Sequence, residues 1–113
     1  MASTKGASAR GRRREKELQK RLEAQGYFVV KAGGSLGDAD LVVMKAGEKP
    51  RLVEVKSTAA GPFHSFGPQE RLDLKEAAKR AGAEPFLCFW PPRKEPKWIG
   101  WTSWPDSPLE SSW

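Results

Sequence analysis

A chain of 113 residues has room for one domain around one modest core. One cysteine, Cys88, and one histidine, His64, exclude an internal disulfide and the usual zinc cages, and apolar runs of only about five residues exclude a bilayer span. The net charge of +6 sits wholly in residues 1–22, where eight basic side chains face Glu15 and Glu17.

That concentration fits a polyanion partner, nucleic acid before membrane, because no strongly apolar helical face accompanies it. A solvated basic tail fits the charge equally well. Residues 1–10 are small, polar and basic, without the apolar stretch of a secretory signal, and read as a disordered segment. Sparing use of cysteine points to a reducing cytoplasm.

The pattern from about 11 to 25 predicts an amphipathic helix carrying Leu18, Leu22 and Ala24, ended by Gly26. "YFVVK" (27–31) reads as a strand, "AGGSLGDA" (32–39) as a glycine-rich loop, and "DLVVMK" (40–45) with "RLVEVK" (51–56) as a hairpin closed by "AGEKP". A loop with two phenylalanines follows at 57–67. Pro68 opens a second helix to Gly82, with Leu74, Ala77, Ala78 and Ala81 on one face. "PFLCFW" (85–90) and "KWIGWTSW" (97–104) complete the strands, and 105–113 reads as a tail. The order predicts a single mixed α/β domain over 11–104, with strands 51–56 and 85–90 parallel across a right-handed crossover.

Glu54 and Lys56 alternate onto one strand face with Leu52, while Val53 and Val55 face the other way. A lone Glu-x-Lys is usually a solvated face. Here, closing the hairpin lays Asp40 across from residue 55 or 56, within reach of both charges. Two adjacent carboxylates call for a cation between them, and a hard divalent ion with a nearby lysine suits phosphate chemistry. Glu15 falls on the helical stripe of Leu18 and Leu22, where a carboxylate is costly unless paired or metal-bound.

Glu15, then "GYFVVKAGGS", then Asp40, then Glu-Val-Lys at 54–56 resemble the PD-(D/E)xK nuclease superfamily, and more narrowly the archaeal-type Holliday junction resolvases. The likeness runs from about residue 10 to 90. Two aspartates compete for the acidic position, and Asp40 rather than Asp38 matches because "DLVV" follows it. Lys16 stands where an arginine is frequent. The resemblance implies a restriction-endonuclease-like mixed sheet of about five strands flanked by helices. It implies Mg²⁺, with Mn²⁺ as a substitute and no organic cofactor, held by Asp40, Glu54, the Val55 carbonyl and Glu15. Lys56 would orient or deprotonate the attacking water, Ser35 would lie near the scissile phosphate, and Gln69 would position Lys56 or the water. The expected substrate is a four-way DNA junction, cut by a homodimer in the cytoplasm of a prokaryotic, or virus-infected prokaryotic, cell.

Arg10, Arg12, Arg13, Arg14, Lys16 and Lys31 are candidates for phosphate contacts, and Phe63 and His64 for contacts from the loop. Trp98 and Trp104 would share one strand face and Trp101 the other, chiefly as packing. Two further readings compete: a superfamily nuclease that cuts linear, flap or single-stranded DNA, and a non-catalytic DNA-binding module.

Overall fold

The computed structural model describes residues 9–32 and 39–105, leaving aside the side chains of Ala9 and Arg10. Among the described residues, two α-helices sandwich a sheet of five strands. Helix α1 spans Ala9–Ala24, and strands β1 (Phe28–Lys31), β2 (Leu41–Met44) and β3 (Arg51–Lys56) follow in an antiparallel meander. Helix α2 (Pro68–Ala81) then crosses to β4 (Glu84–Phe89), which runs parallel to β3, and β5 (Lys97–Gly100) pairs antiparallel on the outside. The sheet order is β1-β2-β3-β4-β5. This is the mixed sheet and crossover that the pattern predicts.

Alternation along the central strands sorts the core into two layers. Val53 and Val55 of β3 join Leu18 and Leu22 of α1, with Leu41, Val43, Cys88 and Trp90. Leu52 faces the opposite layer, with Leu74 and Ala78 of α2, Leu87, Phe89 and Phe66. Each layer forms because an apolar helical stripe meets alternate residues of a central strand. Glu54 and Lys56 therefore lie in the α2 layer, and Glu15 in the α1 layer.

Three local expectations are corrected. Ala81 is exposed; buried Arg71 takes its place on the α2 face, its guanidinium bonding the Phe66 carbonyl and lying 5.5 Å from the Phe63 ring. Ala24 is exposed at the end of α1, where Gly26 adopts a left-handed φ of 95° and ends the helix. The last strand stops at Gly100, and a 3-10 turn, Trp101–Ser103, follows. That turn brings Trp101 and Trp104 into the same core layer instead of onto opposite faces. The Trp104 indole N–H donates to the Ile99 carbonyl at 3.1 Å, and its ring meets Phe66 edge to face at 5.0 Å. Burial of a large ring with its polar handle satisfied outweighs extension of the ladder.

Helix α1 begins within the segment assigned to a disordered end. The rest of that segment, residues 1–8, and positions 106–113 of the tail lie outside the described residues.

Candidate active site

The hairpin register decides where the acids meet. Leu41 pairs with Val53, so the next step places Asp40 opposite Glu54, not opposite 55 or 56 as the loop count predicts. The turn closes early: Glu48 N–H bonds the Lys45 carbonyl at 3.0 Å, and Gly47 takes a φ of 82°. Pro50 has no N–H to give the ladder, and its carbonyl instead accepts from Glu84 at 2.8 Å.

Asp40 is held by backbone on both sides. Its N–H donates to the Val53 carbonyl at 2.9 Å, and its carbonyl accepts from Ala32 at 2.9 Å. Its Oδ2 accepts the Val55 N–H at 2.8 Å. The side chain is buried and aimed along β3, and its position follows from the register rather than from a flexible rotamer.

Glu54 is almost wholly enclosed, its side chain 3% exposed, and it faces Lys56 with Oε2 3.3 Å from Nζ. A carboxylate at that depth requires a cationic partner. Lys56 has a second one: Glu70 Oε2 lies 3.6 Å from Nζ. Glu70 sits in the first turn of α2, where its other oxygen accepts the Gly67 N–H at 3.1 Å. The helix start thus fixes the carboxylate that reaches the lysine.

Glu15 is largely shielded, on the stripe of Leu18 and Leu22, and lies 3.9 Å from Lys31 Nζ. It lines a cleft with Asp40, Val55, Lys56, Ser57 and Ser65. The Ser57 hydroxyl is buried at this cleft with no hydrogen-bond partner. Such orphaned groups are rare and mark strain, function or a missing water or ion. Glu54 adjoins the cleft through its contact with Lys56.

The basic helix divides by exposure. Arg12, Arg13 and Lys16 are exposed. Arg14 is instead drawn over the buried Trp90 ring at 4.6 Å, beside Arg21 at 5.0 Å. Arg21 is clasped by Glu95 at 2.7 Å and Glu17 at 3.0 Å, and these hydrogen bonds raise its already high pKa. Lys31 is exposed beside Glu15, His64 is exposed in the loop, and Phe63 is half-buried against Arg71.

Of the residues expected at the site, Glu15, Asp40, Val55 and Lys56 share the cleft and Glu54 adjoins it. Gln69 points elsewhere, its amide donating to Asp73 Oδ1 at 2.8 Å one helical turn on. Glu70, one residue further, contacts Lys56 in its place. Ser35 and the Arg10 side chain lie outside the described residues. Ser57 and Glu70 are not among the residues expected at the site. Glu70 carried a signal, an acid at the third position of a proline-opened helix, where capping acids belong. Ser57 carried none beyond its adjacency to Lys56.

Among the described residues, no three histidine, cysteine or acidic side chains converge around one point. The donor chemistry still fits a hard divalent ion: the carboxylates of Asp40, Glu54 and Glu15, a carbonyl on β3, and an unpartnered buried hydroxyl are all oxygen. Mg²⁺ favours octahedral oxygen coordination and keeps several waters, so two carboxylates and a carbonyl suffice for it.

A model of the archaeal Holliday junction resolvase family matches residues 6–104, nearly the whole chain. The structure also resembles that of Hjc, a Holliday junction resolvase from the archaeal hyperthermophile Archaeoglobus fulgidus, with a TM-score of 0.69 and 25% identity. The match covers 78% of this chain and 73% of that one. No curated protein matches.

Proposed function

Because the chain belongs to the archaeal Holliday junction resolvase family, and is thereby a nuclease of branched DNA, we propose that it cuts four-way junctions by Mg²⁺-dependent phosphodiester hydrolysis at Asp40, Glu54 and Lys56. The observation that carries this reading is the cleft where Glu15, Asp40 and Val55 meet Lys56, itself gripped by buried Glu54 at 3.3 Å.

Asp40, Glu54 and the Val55 carbonyl would hold the metal, with Glu15 completing the site directly or through water. When bound, the ion supplies charge compensation at the phosphate and an acidified water, and Mn²⁺ would substitute for it. Lys56 donates hydrogen bonds toward the cleft, orienting the attacking water and stabilising charge that grows on the phosphate oxygens. The Ser57 hydroxyl offers one further hydrogen bond there. Arg12, Arg13 and Lys16 are exposed on α1 and would take DNA phosphates, which position a strand without reading its sequence. Ser35 would lie near the scissile phosphate.

Junction resolution needs two matched cuts, and a homodimer would present two identical sites to a nearly two-fold symmetric substrate. Phe28 and Val30, 65% and 39% exposed on edge strand β1, are apolar surface available to a second copy. No described helix is long and apolar enough to cross a membrane. The proposed place of action on DNA is the cytoplasm.

The test offers an immobile four-way junction, a linear duplex and a flap in parallel, with Mg²⁺ or EDTA. Paired symmetric nicks in the junction alone, abolished by EDTA, are expected. Cutting of all three substrates would replace the reading with a general branched-DNA nuclease, and tight binding without any cutting would end it.

A further inference from the structure

Lys56 is shared between two carboxylates of unlike surroundings. Glu54 is buried on β3, and Glu70 is half-exposed at the start of α2. If the site works as proposed above, the same Glu54 oxygens must also face a divalent cation. The ammonium and the metal then compete for one carboxylate. A lysine with no other anchor would either resist the metal or swing away once displaced.

We propose that Glu70 is a positioning residue that keeps the Lys56 ammonium beside the cleft when metal occupies Glu54. Its geometry suits that task. One oxygen is fixed by the Gly67 N–H at 3.1 Å, at a helix start pinned by Pro68, which leaves the other oxygen aimed at Nζ, 3.6 Å away. Gln69, the neighbour that could have served, is turned to Asp73. Supporting groups of this kind, which hold a side chain next to a metal rather than the metal itself, typically change affinity or rate by roughly 10–100-fold when removed.

The experiment compares Mn²⁺ binding, by electron paramagnetic resonance and calorimetry, in the full chain and in Glu70→Gln. The glutamine keeps an amide oxygen for the Gly67 N–H, so the helix cap survives while the charge on Lys56 is lost, and thermal melting checks that the fold is intact. Glu70→Gln is expected to weaken Mn²⁺ by roughly tenfold. The metal concentration for half-maximal junction cleavage should rise in step, with junction affinity in EDTA unchanged. In a Lys56→Gln background the same substitution should have no further effect on Mn²⁺. Glu76→Gln, which removes an equal charge from an exposed position on the same helix, should change nothing.

An equal loss with and without Lys56 would mean a plain field effect and overturn the proposal, as would no loss in Glu70→Gln while the full chain binds metal and cuts junctions. Failure of the unaltered chain to bind Mn²⁺ would instead remove the metal reading itself, and this inference with it.

Discussion

Asp40 and Val55 are joined across the β2–β3 hairpin by a hydrogen bond of 2.8 Å, from the Val55 N–H to Asp40 Oδ2. One acid thereby serves the sheet and the cleft together. The two tasks separate by substitution. Asp40→Asn keeps an oxygen for the Val55 N–H but loses the charge a cation requires, so melting should shift little while junction cleavage falls by at least roughly a hundredfold. Asp40→Ala leaves a buried N–H without a partner and should cost about 1–3 kcal/mol as well. Denaturant titrations beside cleavage rates distinguish them; undiminished cutting by the asparagine variant would remove Asp40 from the chemistry.

Glu54 is buried with its Oε2 3.3 Å from the Lys56 ammonium. Breaking a buried pair by removing one partner is destabilising, and Lys56→Met should lower the stability of the metal-free chain by about 3–5 kcal/mol. A bound cation replaces the lost ammonium as the partner of Glu54. Divalent metal at a hundred times its dissociation constant should then return about 2.7 kcal/mol. Melting in EDTA and in Mg²⁺ measures both effects. A variant as stable as the parent in EDTA would show that this pair contributes nothing.

The arginines of α1 should not behave alike. Arg14 lies over Trp90 and pairs with Glu17 at 3.7 Å, so Arg14→Ala should cost about 1 kcal/mol of stability through the lost ring contact. The alanine variants of Arg12 and Arg13, both exposed, test DNA contact, and Arg13→Ala should leave melting unchanged. Each should instead reduce the slope of log affinity against log salt by about 0.9 for every phosphate no longer neutralised. Junction binding measured across a salt series decides this, and an unchanged slope in both variants would remove these two arginines from the phosphate contacts.

What the sequence revealed and what it hid follow from the range of each interaction. Leu18, Leu22, Leu74 and Ala78 are legible because a helical stripe repeats locally, and Val53 against Glu54 because a strand alternates. The β2–β3 register is not legible because it depends on how one turn closes: Gly47 in a left-handed conformation and Pro50 outside the ladder shift Asp40 from residue 55 or 56 to Glu54. The Trp-rich end misled for another reason. Period two suited "KWIGWTSW", but Phe66, distant in sequence, offers a packing surface that the 3-10 turn exploits. The choice between Gln69 and Glu70 is also tertiary, since either could follow Pro68 and only the docking of α2 against β3 aims one of them at Lys56. The acids and the lysine were legible; the partner that holds the lysine was not.

Cys88 gives the chain an alkaline limit. It lies on β4 opposite Val55 and is fully buried in the α1 layer, and burial pushes its thiol up to about 12 from 9.0, with Arg21 pulling weakly the other way. The folded chain therefore keeps this proton while the unfolded chain releases it above about pH 9. The unfolded state then binds fewer protons than the folded one, so stability must fall as pH rises between those two values, and below the lower one it is unaffected. The slope for one group is about 1.4 kcal/mol per pH unit. Urea unfolding at about pH 8 and about pH 10.5 should show this extra loss in the parent chain relative to Cys88→Ala, which will be less stable at the lower pH through its small cavity but flatter above it. A thiol reagent should modify Cys88 only as the chain unfolds, since the buried thiol supplies almost no thiolate. Parallel pH profiles for the two proteins, or rapid labelling of the folded chain, would mean that the thiol is not enclosed between β4 and α1.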